Sequence, residues 1–456
     1  MSASDAGAQA PGLLDFAVAR ADFLAGADRP REYLERRIER IAARNDAVRA
    51  FVVTNEAAAR AAADQSDQRY STGKPLSPID GLPIGIKDVL ETADMPTGMG
   101  SPIFAGRETG RDAAAVRALR QAGAIILGKT VTTEFAFLTP GETRNPLDLT
   151  RTPGGSSSGS AAAVADGMVT AALGTQVVGS VIRPSAYCGA VAFKPSFGAL
   201  NRGGTQVSLS QNHIGVHGAT VADAWAVARA IAGGAGGDPG RSALRGPDTA
   251  PAAKKPGRLG LLQTGGWQDA DPAARDALAA LLDGLRDTGV AIVDRGASKV
   301  LEALEQAVVD ARDVSLDICG FELQWPLGNY RDEQGSRLSP GLEARMAEWD
   351  GITVADYEAS LAQRDGMRQA QAALAGEIDG LITLSAPSIA PVGLETTGNP
   401  VFAAPATILG APAFSLPLMA LDGLPLGLQL IGFPGRDADL AGLAQWITDG
   451  VENKAG

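Results

Sequence analysis

Between Gly81 and Gly218, short apolar runs alternate with glycine-rich turns and helix-forming stretches. Apolar runs of about four to eight residues bounded by turn residues fit strands buried on both faces. The helices between such strands must then cover those faces, so the pattern predicts an α/β layered fold around a mostly buried sheet. It places a helix over 113–122, a strand over 124–128, a helix start over 160–166 and a strand over 170–175. Gly 56 and Pro 27 make about 18% of the chain against roughly 12% on average.

The flanks are organised differently. The first sixty residues are helical in pattern, with Asp28 a candidate cap and Leu34, Ile38, Ile41 and Ala42 on one apolar face. Residues 233–255, rich in Gly, Pro, Ala and Arg, read as a long surface connection. An amphipathic helix over 273–288 and a short strand over 290–293 follow. Residues 298–376 are mostly helical and contain Trp325 and Trp349. Strand-like runs return at 380–384, 413–419 and 427–431, before a closing helix over 438–448. No internal repeat of fixed period is present.

Composition then excludes several function classes. With 40 Lys plus Arg against 52 Asp plus Glu, the net charge is −12, and no basic cluster offers a phosphate-binding face for nucleic acid. Cys188 and Cys319 make no disulfide framework, which fits a reducing compartment. The start, 1–14, has neither the basic n-region nor the apolar run of a signal peptide. The apolar stretch 164–178 is interrupted by Asp166, glycines and threonines, so no membrane span is expected. A soluble cytoplasmic protein is the expectation. Only two histidines occur, His213 and His217, within five residues of each other. A multi-ligand zinc site is thereby close to excluded, no metal or cofactor is expected, and a Ser-His-Asp triad would have to be built around that one segment.

The densest chemical signal is Pro153-Gly154-Gly155-Ser156-Ser157-Ser158-Gly159-Ser160, followed by alanines. Such composition usually marks a flexible linker, yet here it lies inside the α/β region and opens a helix, where free N–H groups and hydroxyls face outward. A P-loop is disfavoured because the Gly-Lys-Ser/Thr ending is missing. Gly155 to Gly159 also fits G-x-S-x-G with Ser157 as nucleophile, but that elbow requires a late histidine, and none occurs after His217.

With imidazole scarce, a serine needs another base, and a desolvated lysine can lose its proton near neutrality. Three of the eight lysines, Lys87, Lys129 and Lys194, are embedded in apolar runs. In Gly81-Leu82-Pro83-Ile84-Gly85-Ile86-Lys87-Asp88, alternation puts Leu82, Ile84 and Ile86 on one face and Pro83, Gly85 and Lys87 on the other. A second serine-bearing loop, from Gly174 to Pro184, carries Ser180 just after a predicted strand. Successive backbone N–H groups can converge there, as an oxyanion site requires.

Together these segments resemble the amidase signature family of serine hydrolases. Gly81, Pro83, Lys87 and Asp88 meet its G-x-P-x-x-x-K-D pattern, and 153–160 meets its P-G-G-S-S-x-G-S pattern. Gly179, Ser180, Pro184, Tyr187, Cys188, Gly189, Lys194 and Pro195 meet the third, with further matches at 144–146 and 423–429. The likeness covers most of the chain and weakens between about 239 and 376. It implies one domain over 1–456: a large mixed twisted sheet with helices on both faces, an N-terminal helical region over 1–60, and a divergent, mostly helical substrate-side section over 240–376. It further implies a Ser–cis-Ser–Lys triad, with Ser180 as nucleophile, Ser156 as the bridging serine on a cis peptide bond, and Lys87 as base. The N–H groups of Val177, Val178, Gly179 and Ser180 would hold the oxyanion, and Ser157 would support the loop. Lys129 and Lys194 become structural candidates, and His213 and His217 packing residues.

There are departures. The usual Asp-Thr-Gly-Gly before the nucleophile is Gln176-Val177-Val178-Gly179, Ser158 replaces a common glycine, and the arginine usually two residues after the nucleophile stands three after it, as Arg183. The segment from Glu134 to Arg144 is shorter than in the tRNA-dependent amidotransferase members of the family. The first expectation is accordingly a free-standing hydrolase, monomeric or homodimeric. It would cleave small amides, anilides or carbamates (urethanes), with esterase or urethanase side activity. The alternative is a glutamine- or asparagine-hydrolysing component of a tRNA-dependent amidotransferase, active within a larger partner assembly.

Overall fold

The computed structural model describes residues 12–137, 139–205 and 210–455. Most of the 1–14 segment, Leu138 of the short 134–144 segment and the last residue therefore lie outside the described residues. Eleven strands are formed: β1 Phe51–Thr54, β2 Pro83–Lys87, β3 Ile125–Thr130, β4 Ala171–Gln176, β5 Val191–Lys194, β6 His213–Gly218, β7 Arg258–Leu261, β8 Ala291–Val293, β9 Gly380–Leu384, β10 Ala413–Leu421 and β11 Leu424–Ile431. They make one mixed sheet in the order β1-β3-β2-β4-β6-β5-β10-β11-β9-β7-β8. β3, β2 and β4 run parallel, as do β9, β7 and β8, and the strands between these groups pair antiparallel.

The period-two alternation within single strands sorts the core into two layers. Ile84, Ile86, Ile126, Ala171 and Leu173 point to one, and Ile125, Leu127 and Ala172 to the other. The first layer is covered by the helices Ala114–Gln121 and Val221–Ala235, through Val116, Leu119, Trp225, Val227 and Ile231. The second is covered by Pro30–Val48, through Leu34, Ile38 and Ile41, and by Ser158–Ala165. The expected α/β sandwich with helices on both faces is what forms.

Element positions follow the sequence reading within a few residues, with informative exceptions. The helix over 30–48 is entered from Arg29, with Pro30 in its first turn, and Asp28 instead pairs with Arg36. Proline has its φ already set for the first helical position and has no N–H to cap, so the start falls after Asp28. Ala42 is exposed, and the first sixty residues also contain β1. The helix expected from Ser160 begins two residues earlier, at Ser158, where the serine hydroxyl donates to Val131 O. The 236–257 connection has no helix or strand, yet it buries Leu244, and Pro247 O accepts from Trp225 Nε1 at 2.9 Å. The 298–376 section is helical over Lys299–Ala307, Ala311–Gln334, Pro340–Trp349 and Val354–Ala372. Trp349 is buried there, whereas Trp325 is 77% exposed.

The helix Ser158–Ala165 is buried on every side, which only small residues permit. At Gly159 an added Cβ would lie 2.2 Å from Ala50 O and 2.4 Å from Val131 N, both backbone atoms. The Gly159→Ala variant is expected to lose about 1–3 kcal/mol by forcing this helix off β3. Urea unfolding checks it; an unchanged midpoint would show that the helix moves freely against the strand.

Candidate active site

Lys87 ends β2, between two parallel neighbours. The position of an added Cβ on Gly85 faces Thr130, Ala172 and Phe51, so Gly85 and Lys87 share the face that carries Ser158–Ala165. The Lys87 side chain is completely buried, and its Nζ lies 2.7 Å from Ser156 Oγ, 2.9 Å from Thr175 Oγ1 and 3.4 Å from Thr175 O. All three partners are neutral. Desolvation without a carboxylate therefore pushes the amine well below the ordinary lysine range, towards the uncharged form.

The serine loop reaches Lys87 through a sharp turn. Gly154 has φ +79°, and an added Cβ there would lie 2.8 Å from Pro184 Cα. The next peptide bond, Gly155–Ser156, is cis. Its surroundings are fixed by Arg183, whose Nη2 donates to Gly155 O at 2.7 Å and to Thr397 Oγ1 at 2.9 Å, and by Thr133 N–H, which donates to Ser156 O at 3.3 Å. Ser157 is buried and exchanges hydrogen bonds with the end of β4, giving to Thr175 O and taking from Thr175 N, each at 3.3 Å. Its N–H also donates to Ser180 O at 3.4 Å, which holds the two serine segments side by side. Ser156 Oγ and Ser180 Oγ share no hydrogen bond among the described residues. Of the three serines, Ser180 alone is partly exposed.

Ser180 follows β4 by four residues. In the segment Val177–Ser180 no backbone N–H donates to an acceptor among the described residues. These N–H groups are thus left as unengaged donors beside the partly exposed Ser180. Gln176 closes the loop: its Oε1 accepts from Val181 N at 2.7 Å and Ile182 N at 2.9 Å, the first turn of the helix Ile182–Cys188. Its Nε2 donates to Thr407 Oγ1 at 2.9 Å.

The other candidates separate by their partners. Lys129 faces Asp88 at 3.0 Å and donates to Thr97 Oγ1 and Pro96 O, a buried ion pair. Lys194 donates to Pro195 O and Ala411 O, and burial pushes it down to about 7. His217 shares a 2.8 Å hydrogen bond with Ser185 Oγ, and burial pushes it down to about 3. His213 packs edge-on against Phe197, and its burial likewise favours the neutral ring. Among the described residues no cluster of His, Cys, Asp and Glu is arranged to hold a metal ion, and no helix is long and apolar enough to cross a membrane. Thr133, Thr397, Thr407 and Gln211, which donates to Val177 O at 3.2 Å, all touch the site without any sequence signal of their own. Thr397 and Thr407 reach it from more than 200 residues away.

The Amidase family profile matches residues 32–441, and the chain belongs to that family. It is 33% identical over 443 residues to a glutamyl-tRNA(Gln) amidotransferase component of Chloroflexus aggregans, covering 90% of each chain. Among solved structures, it superposes on a crystal structure of an amidase with a TM-score of 0.82 at 27% identity, covering 96% of this chain and 99% of that one. It superposes on the native peptide amidase of Stenotrophomonas maltophilia with a TM-score of 0.76 at 27% identity, covering 96% and 97%. The protein is an amidase-family hydrolase acting on C–N bonds.

Burying Lys87 has a consequence for stability that can be measured. Because its folded pKa lies below the unfolded value near 10.5, the unfolded chain holds a proton that the folded chain lacks throughout the window between them. Stability therefore rises with pH across that window, by up to about 1.4 kcal/mol per pH unit from this group. Lys87→Met is expected to be more stable than the parent at pH 7, with the gap shrinking towards pH 10. Urea titrations at the two pH values check this; an equal gap at both would show that the lysine is buried charged.

Proposed function

We propose that the protein hydrolyses the C–N bond of a small amide through an acyl-enzyme on Ser180. Lys87, neutral at rest, takes the proton of Ser156, which takes that of Ser180 as its oxygen attacks the carbonyl carbon. The oxyanion is held by N–H groups from Val177 to Ser180. The proton then returns through Ser156 to the leaving nitrogen, the C–N bond breaks, and water releases the acid by the same route. The observation that carries this reading is the fully buried Lys87 amine, 2.7 Å from Ser156 Oγ with no carboxylate beside it. The single-domain organisation over 1–456 belongs to the same proposal.

Two substrate readings share that chemistry. Hydrolysis of glutamine or asparagine within an amidotransferase assembly is the one the curated relatives favour, since their names are those of glutamyl-tRNA(Gln) amidotransferase components. The other is a stand-alone hydrolase of aryl amides or carbamates. It is supported by the short 134–144 segment and by the apolar pair Val177 and Val178 beside the partly exposed Ser180.

A fluorophosphonate is expected to label the protein at Ser180, and Ser180→Ala to abolish labelling; an adduct on Ser157 would overturn the assignment. Lys87→Ala should lower the rate by orders of magnitude and remove the acidic limb of the pH profile, where the base becomes protonated. Turnover of L-glutamine, L-asparagine, 4-nitroacetanilide and an aryl carbamate by the isolated chain separates the substrate readings. Anilide or carbamate turnover without glutaminase activity removes the amidotransferase reading, and the converse removes the other.

A further inference from the structure

The loop that carries Ser180 departs from the family pattern at Gln176, and the bonding around that residue has a direction. Gln176 Oε1 is occupied by the Val181 and Ile182 N–H groups, so the amide cannot be turned over and Nε2 must face Thr407 Oγ1. Thr407 thus receives a hydrogen bond, and its single proton is free to go elsewhere. It goes to Val178 O, at 2.7 Å. Val178 O belongs to the same peptide unit as Gly179 N–H, and in a trans peptide the two point in opposite directions. Fixing that carbonyl on the Thr407 side therefore turns the Gly179 N–H to the other side, where it has no acceptor among the described residues. The adjoining units are held in the same manner: Val177 O takes Gln211 Nε2, and Gly179 O takes Arg183 N at 3.0 Å.

We propose that Gln176 and Thr407 are positioning residues, a directional two-bond relay that holds the Val178–Gly179 peptide with its N–H presented to the oxyanion. The inference rests on the reading of Ser180 as nucleophile. Gln176 does what a carboxylate at this position could not. A carboxylate would accept the Thr407 proton, and Val178 O would lose its donor.

The test is the second-order rate of labelling by a fluorophosphonate, whose P=O oxygen gains charge during attack as a carbonyl oxygen does. Gln176→Glu keeps the shape and the capping oxygen but captures the Thr407 hydroxyl, and Thr407→Val removes the hydroxyl at nearly constant volume. Each is expected to slow labelling by about 10–100-fold, measured on protein that circular dichroism and urea unfolding show to be folded under the labelling conditions. Thr407→Ser, which keeps the hydroxyl, is expected to stay within about threefold. Parent-like labelling of both Gln176→Glu and Thr407→Val overturns the relay, as does a Thr407→Ser rate as low as that of Thr407→Val. Ser180→Ala, run alongside, distinguishes the two levels: adduct retained in that variant overturns the nucleophile reading itself.

Discussion

A lysine side chain without a counter-charge sits at the centre of this molecule, and the surrounding architecture is arranged to tolerate it. Burying an ammonium costs several kcal/mol even after relaxation, so the group sheds its proton unless a carboxylate holds it. The three lysines in apolar runs meet that constraint in three ways. Lys129 keeps a carboxylate, Asp88, at 3.0 Å. Lys194 is bonded to two carbonyls, and its descent to about 7 is opposed by Asp437. Lys87 has only hydroxyls and one carbonyl around it. Of the three, only the last environment has no carboxylate opposing the loss of the proton, and it is the one that touches Ser156.

Placing that amine requires the parallel β3-β2-β4 group. The C-terminal ends of the parallel, interior strands β2 and β4 lie side by side, so Thr175 and Lys87 meet there, and the helix Ser158–Ala165 brings the serine loop over them. The helix approaches closely because its residues are small, and Gly159 lies directly against the backbone of Ala50 and Val131. Core packing and the candidate chemistry are in this sense one problem. The small residues that let the helix settle on β3 also bring Ser156 within reach of Lys87.

Much of this is legible in the sequence because it is local. The alternation of Leu82, Ile84 and Ile86 against Gly85 and Lys87 is a property of five or six consecutive residues, and the strand obeys it. The helical pattern of 298–376 is equally readable, since its periodicity is long. The cap expected at Asp28 does not form because Pro30 sets the helix start by backbone geometry, which outweighs side-chain capping preference. Ala42 departs from the expected apolar face because a small apolar residue costs little when exposed, so the pattern cannot say which side it takes. What cannot be read at all is the set of threonines around the loops. Thr397 and Thr407 are unremarkable in their own neighbourhoods, and they matter only through hydrogen bonds to residues more than 200 positions away.

The scarcity of histidine has a physical counterpart in the structure. His213 and His217 are both buried, both driven towards the neutral form, and neither faces Ser180 through a hydrogen bond. An imidazole in such a place cannot cycle its proton near neutral pH, because its charged form is too costly there. Lys87 is just as desolvated, yet its amine starts about four units more basic in water than an imidazole. The same burial that disables a histidine as a proton carrier therefore brings a lysine towards the working range. A deeply buried site of this kind favours the stronger intrinsic base, and the proposed relay through Ser156 lets that base act on the partly exposed Ser180 without itself meeting solvent.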